Sequence, residues 1–224
     1  MNQLKIVTGN LFNSKSQTLV NTVNTVGVMG AGIALEFKYR YPKMFEQYVE
    51  ICNKKLLTIG KLWLYKGTEK WILNFPTKID WKNDSKEEYL KSGLQKFLDT
   101  YKSKNITSIA FPVLGASNGN LSENIALEIM QSYLSNCEIP IEIYKFDPQA
   151  SDDLYDKLKH LLIDLECKKA SKLTHIPPKY MKLLLNTLKD ESVRNMRSLV
   201  KIKGFGMNSM SKLYEFLNNS NLDR

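Results

Sequence analysis

The chain has 224 residues, 43% hydrophobic and 25% charged, enough for one full α/β domain and a small extra module. That apolar content excludes an intrinsically disordered chain, and 11 Gly with 7 Pro exclude a collagen-like one. No apolar run approaches the ~18 residues of a membrane span, no signal-peptide pattern opens the chain, and three scattered cysteines with two histidines suit neither disulfides nor zinc. The expectation is a cytoplasmic protein without membrane contact, metal or cofactor. The net charge of +9 is uneven: residues 168–224 hold 12 Lys and Arg against four Asp and Glu, a net of +8, and residues 1–167 carry the remaining +1. A near-neutral body with a basic tail fits a polyanionic partner for the tail, or a lysine-rich solubilising surface.

Lys5–Thr8 and Thr18–Val23 read as short buried strands. The glycine-rich stretch Gly27-Val-Met-Gly30-Ala-Gly32 then opens a helix over 33–39, and Pro42 starts a second with Phe45, Tyr48, Val49 and Cys52 at helical spacing. Leu62–Tyr65 and Trp71–Phe75 are strands, ended by the polar loop 77–84. Ser85-Lys-Glu-Glu88 has the pattern of a capping box, ahead of a helix whose face is Leu90, Leu94, Phe97, Leu98 and Tyr101. A strand over 106–111, a loop over 112–120, a helix over 122–136 and a strand over 141–146 follow. Leu154, Leu158, Leu161, Leu162 and Leu165 mark a last helix of the body. This alternation predicts an α/β layered domain with a largely parallel sheet over residues 1–166, a basic linker at 167–178 and a small all-α module at 179–224.

Both glycine-bearing loops, 24–32 and 112–120, follow strands directly, which assigns them to the carboxyl rim where such sheets bind ligands. Gly27-x-x-Gly30-x-Gly32 before a helix is a plausible phosphate cradle, since backbone N–H groups and the helix dipole favour negative charge. It is neither a Walker loop nor the dinucleotide fingerprint. Gly115-Ala-Ser-Asn-Gly119 is a second small-residue loop, and two on one rim suit a ligand with two phosphates.

The segments Gly9-Asn10-Leu11, Leu19–Leu35 and Phe111-Pro-Val-Leu-Gly115 resemble the macrodomain family, ADP-ribose-binding α/β/α modules with a six- or seven-stranded mixed sheet. Val20–Phe37 with Asn74-Phe-Pro-Thr-Lys78 is similar to the DarG branch, DNA ADP-ribosyl glycohydrolase antitoxins that oppose DarT toxins. The resemblance covers about residues 1–150. It implies that Asn24 lies beside the distal ribose with Asn21 supporting the loop, and that Gly30, Ala31, Gly32 and Ile33 wrap the diphosphate from one side. Pro112, Gly115, Ala116, Ser117, Asn118 and Gly119 wrap it from the other. Asn10, with Leu11, takes the adenine position where an aspartate is common, and Phe146 packs on the adenosine. Lys78 matches the catalytic lysine of the branch: an amine in a partly desolvated loop acts as nucleophile or proton shuttle at the distal ribose. The related animal enzyme pairs its lysine with an aspartate, and Gly119 stands at the matching position here, as the DNA-directed branch does without that acid. Asp80 and Asp84 read as loop surface. Trp81 reads as a loop anchor or a platform for a nucleobase.

Residues 192–213 resemble a helix-hairpin-helix module like the C-terminal domain of the bacterial RNA polymerase α subunit. That likeness implies contacts from Lys203, Gly204, Gly206, Asn208, Ser209 and Lys212 to a DNA backbone; the alternatives are a small appendage or a grip on a partner protein. Together these readings give a hydrolase that removes ADP-ribose from a DNA base, thymidine favoured over guanosine, with ADP-ribosylated DNA as substrate, ADP-ribose as product and a DarT-like ADP-ribosyltransferase as a partner toxin. The alternatives are a non-catalytic ADP-ribose reader, a protein-directed ADP-ribosyl-glutamate hydrolase, and a toxin-sequestering partner.

Overall fold

Alternation within the strands decides the layering of the first part of the chain. In β2 (Thr18–Val23) Val20 enters one apolar cluster, whereas Leu19 and Val23 enter another, because successive side chains of a strand point to opposite faces. The same split recurs in β4 (Trp71–Pro76), where Leu73 and Phe75 oppose Ile72, and in β5 (Ile109–Pro112), where Ile109 and Phe111 oppose Ala110. One face is covered by α1 (Gly32–Arg40) and α2 (Pro42–Asn53) through Phe37, Met44, Tyr48 and Cys52. The other is covered by α3 (Glu87–Thr100) and α4 (Glu123–Leu134) through Leu90, Leu94, Phe97, Ala126, Met130 and Leu134. The result is a three-layer α/β/α arrangement.

This computed structural model describes residues 3–200 and 202–220. With β1 (Leu4–Gly9), β3 (Trp63–Lys66) and β6 (Ile141–Phe146), the strands form a six-stranded sheet in the order β1-β6-β5-β2-β4-β3. Every pairing is parallel except β3 with β4, so the sheet is mixed, as expected, with six strands. β1 was expected to be buried; at the sheet's edge it leaves Ile6 exposed. The expected capping box is also absent: α3 begins at Glu87 with Lys86 at its N-cap and no side-chain cap, because Ser85 is turned into a neighbouring loop.

The chain divides into two compact units, Met1–Phe146 and Asp147–Arg224, ahead of the boundary at 166 expected from the sequence. The physical reason lies in α5 (Asp153–Leu162), read from its leucines as the last helix of the body. It packs on α9 (Met207–Asn219). Lys157 Nζ donates to the carbonyl of Leu217 (3.1 Å), and the carboxylate of its N-cap, Asp152, accepts from the N–H of Met196 (3.0 Å). The segment expected as a basic linker carries α6 (Cys167–Thr174), with Ala170 and Thr174 buried. α7 (Pro178–Leu188) has proline in its first turn and buries Met181, Leu184, Leu185 and Leu188 on one face. α8 (Met196–Leu199) is a single turn. In α9, Met210, Leu213, Tyr214 and Leu217 are buried and Phe216 is half-buried. Among the described residues no helix is long and apolar enough to cross a membrane, and no group of His, Cys, Asp and Glu is arranged to hold a metal ion.

Candidate functional site

Register brings the sequence-predicted residues to one rim. Gly9 pairs with Phe146, Val23 with Pro76 and Pro112 with Tyr144, all in parallel. The segments beginning at Asn10, Asn24, Thr77 and Val113 therefore leave the sheet at the same edge. Strand order sets their neighbours: β2 lies between β4 and β5, so the 24–32 loop leaves the sheet between the Lys78 segment and the 113–120 loop.

The 24–32 loop is folded around one side chain. Asn24 is buried, its Oδ1 accepts from the N–H groups of Val26 (3.0 Å) and Val28 (3.2 Å), and its Nδ2 donates to the carbonyl of Val28 (2.6 Å). The hydroxyl of Tyr48, on α2, donates to Asn24 O (2.9 Å) and Oδ1 (3.0 Å). Burial pushes this phenol far above its ordinary range, because the phenolate would lose its solvation; the Cys52 thiol is raised by burial too. Asn24 thus shapes the turn that the resemblance places beside the ribose. Asn21 lies beneath it and donates from Nδ2 to Asn74 Oδ1 across β2 and β4 (2.9 Å). Gly30 and Ala31 are exposed and Ile33 half-buried at the start of α1.

The 113–120 loop is held from outside. The N–H of Ser85 donates to Gly119 O (2.9 Å), Asn120 Nδ2 donates to Asp84 Oδ1 (2.7 Å), and Lys78 Nζ donates to Asn118 O. A Cβ on Gly119 would run into Gly115 O and Ser85 Oγ, and one on Gly115 would come within 3.0 Å of Ser85 Cβ. No side chain fits at Gly119 unless its neighbours shift. On the opposite side, a Cβ on Gly32, whose φ is +58°, would run into Asn118 Nδ2. The first glycine loop, the second one and the lysine therefore meet at Asn118. Ala116 is half-buried, Ser117 and Asn118 are exposed, and Pro112 is half-buried at the end of β5.

At the other end of the rim, Asn10 caps a 3-10 turn (Leu11–Asn13) by accepting from the N–H of Phe12 (3.1 Å), and Leu11 is buried beneath it. Phe146 ends β6 with half its surface exposed. Buried polar atoms without hydrogen-bond partners include Asn21 Oδ1, Asn74 Nδ2 and Ser85 Oγ. Each such group costs about 1–3 kcal/mol.

A Macro domain family model matches residues 20–130. The chain is 39% identical over 160 residues to a DNA ADP-ribosyl transferase–DNA ADP-ribosyl glycohydrolase fusion protein of Thermosipho africanus, covering 63% of this chain and 41% of that one. The solved structure of Thermosipho africanus DarTG in complex with ADP-ribose superposes with a TM-score of 0.61 at 39% identity, over 64% of this chain and 41% of that chain. The macrodomain of Thermus aquaticus DarG gives 0.59 at 38% identity, over 65% of this chain and 98% of that chain. The chain belongs to the Macro domain family. It spans about 41% of the length of the first curated relatives it matches.

Within this macrodomain, sequence reasoning missed Tyr48, Asp84, Ser85 and Asn120 as parts of the site. Ser85 carried a helix-capping signal and Asp84 a surface signal, and nothing local marks either as a support for a loop after another strand. Of the residues expected to meet DNA in the second unit, Lys203, Gly204, Gly206 and Asn208 are exposed and Ser209 is half-buried at the start of α9. Gly204 packs on Tyr180, 2.6 Å from where its Cβ would lie, and Lys212 Nζ donates to His175 O (2.7 Å). Lys201, inside the segment expected as a helix-hairpin-helix, lies outside the described residues.

Proposed function

We propose that the macrodomain holds ADP-ribose along this rim and removes it from a DNA base, thymidine favoured. The observation that carries this reading is the meeting of Lys78, Gly32 and Asn118: an amine stands where the two glycine loops approach each other. The Thermosipho africanus relative supports it, by its name as a DNA ADP-ribosyl transferase–DNA ADP-ribosyl glycohydrolase fusion protein and by its solved structure in complex with ADP-ribose. Gly30, Ala31, Gly32 and Ile33 offer backbone N–H groups to one phosphate side and Gly115–Gly119 to the other. Asn10, Leu11 and Phe146 take the adenosine.

In the reaction, the bond between the base nitrogen and the anomeric carbon of the distal ribose breaks. A carbon–oxygen bond to water replaces it, and the departing base takes up a proton. Lys78 serves at that carbon as nucleophile or proton carrier. Asp80 and Asp84 are engaged elsewhere, with the N–H of Lys82 (3.0 Å) and the amide of Asn120, so the lysine works without a carboxylate of its own loop. The second unit, with its net +8 over residues 168–224, retains the DNA by salt-sensitive contacts from Lys203, Gly204, Gly206, Asn208 and Ser209, with charge from Lys212. The setting is cytoplasmic, against a DarT-like ADP-ribosyltransferase.

The test is release of ADP-ribose from single-stranded oligonucleotides carrying modified thymidine or guanosine, with calorimetric ADP-ribose binding measured beside it. Lys78→Ala is expected to lose turnover and keep affinity. Equal turnover by both proteins removes Lys78 from the mechanism, and binding without turnover by wild type leaves an ADP-ribose reader.

A further inference from the structure

We infer that an apolar lip next to Lys78, centred on Trp81, seats the single-stranded DNA that flanks the modified base; this rests on the function proposed above. Val26 (43%), Val28 (38%), Ile79 (48%) and Trp81 (53%) are the exposed large apolar side chains of two segments. Those segments are fastened together where the N–H and the hydroxyl of Thr25 both donate to Ile79 O (3.0 and 2.9 Å). Bulky apolar groups gathered on the surface mark an interaction site rather than a core.

The turn that carries Trp81 is built to present it. The N–H of Asn83 donates to Asp80 O (3.1 Å), and that of Lys82 donates to Asp80 Oδ1 (3.0 Å). This is the pattern of a turn initiated by aspartate, with Trp81 and Lys82 at its two central positions. Half of Trp81 meets solvent, whereas Phe75 in the preceding strand and Phe111 in β5 are fully buried. The Lys82 ammonium stands 5.3 Å from the centre of the indole ring. An exposed aromatic ring with a cation over one face, on a formed turn, is a combination that can hold a base by stacking on the other face and its phosphate by charge. Lys78 lies three residues before this ring, so a strand whose modified nucleotide is held at Lys78 runs onto the lip. With the carboxylates of Asp80 and Asp84 engaged by the N–H of Lys82 and the amide of Asn120, the ammonium groups of Lys78 and Lys82 are the charges left to meet an occupant, which favours a polyanionic strand over an apolar peptide.

Trp63, Trp71 and Trp81 are the only tryptophans of the chain, and all lie before residue 147, so indole emission does not report on the second unit directly. A short unmodified oligothymidine is expected to quench the full-length protein, and Trp81→Phe, which keeps the other two indoles, to lose that quenching. On an ADP-ribosylated oligonucleotide Trp81→Ala lowers kcat/KM about 10-fold, within the range that loss of one base–aromatic stack supports. Trp81→Phe restores most of it. On an ADP-ribosylated mononucleoside both variants match wild type, because no flanking strand is present. An equal fall on both substrates overturns the inference by placing Trp81 at the bond itself, and unchanged oligonucleotide turnover or undiminished quenching in Trp81→Phe overturns it too. If wild type releases ADP-ribose from neither substrate, the proposed function fails, and the quenching comparison then decides the lip by itself.

Discussion

The 24–32 loop is braced from within and the 113–120 loop from without. In the first, the amide of Asn24 closes the turn on the N–H groups of Val26 and Val28, with Tyr48 and the carbonyl of Ile79 as outside supports. In the second, the ties run to the segment before α3: Lys78 to Asn118, Ser85 to Gly119 and Asp84 to Asn120. A loop that closes on its own side chain holds much of its shape by itself. A loop tied to another segment has its shape only when that segment is in place, so the second loop reports on the segment that bears the lysine.

That difference is sharpest at Gly119, and Gly119→Ala is expected to give the largest effect. Its Cβ meets backbone and a buried hydroxyl, and overpacking of this kind costs about 3 kcal/mol. A large fall in Tm together with loss of ADP-ribose binding is expected, and a variant that binds as wild type would show that the loop tolerates a wider path. Tyr48→Phe tests the first loop. It removes the donor to Asn24 at a cost of about 1–2 kcal/mol. It also changes the pH response. The phenol is raised in the folded state by burial, so its stabilising contribution is fully present below the ordinary tyrosine value of about 10 and is lost as pH rises beyond it. Tm measured between pH 8 and 11 should fall less steeply in Tyr48→Phe than in wild type. Asp84→Ala gives the smallest effect, about 0.5 kcal/mol for one exposed hydrogen bond. Because that bond holds the second loop, ADP-ribose affinity is expected to drop by a few-fold with Tm nearly unchanged. A Tm loss larger than the affinity loss would mean that Asp84 supports the fold and not the loop.

Some of this was legible because its signals are short in range. The alternation of Leu19, Val20 and Val23 marked a strand buried on both faces, and the Leu90–Tyr101 spacing marked a helix. The glycines at 27, 30 and 32, directly after a strand, marked a rim loop. Lys78 stood out through its resemblance, in Asn74-Phe-Pro-Thr-Lys78, and its place beside the second loop followed from the fold. Ser85 misled for the same short-range reason: Ser-x-x-Glu is a helix-cap pattern, but the packing of Gly115 and Gly119 against that side chain outweighed it. α5 misled because a leucine-rich face shows that a helix is buried, not which neighbour buries it, and its partner is α9.

The sequence by itself determined the strands and most of the helices, the position of the glycine loops after strands and the basic character of residues 168–224, since periodicity, turn chemistry and charge act within a few residues. Only the tertiary structure decided that β2 lies between β4 and β5. That order brings Lys78, Asn118, Ser85 and Gly119 together from distant parts of the chain and leaves Trp81 at the surface beside them. Strand order is set by the burial of whole faces against helices, a balance over the entire domain that no local pattern carries.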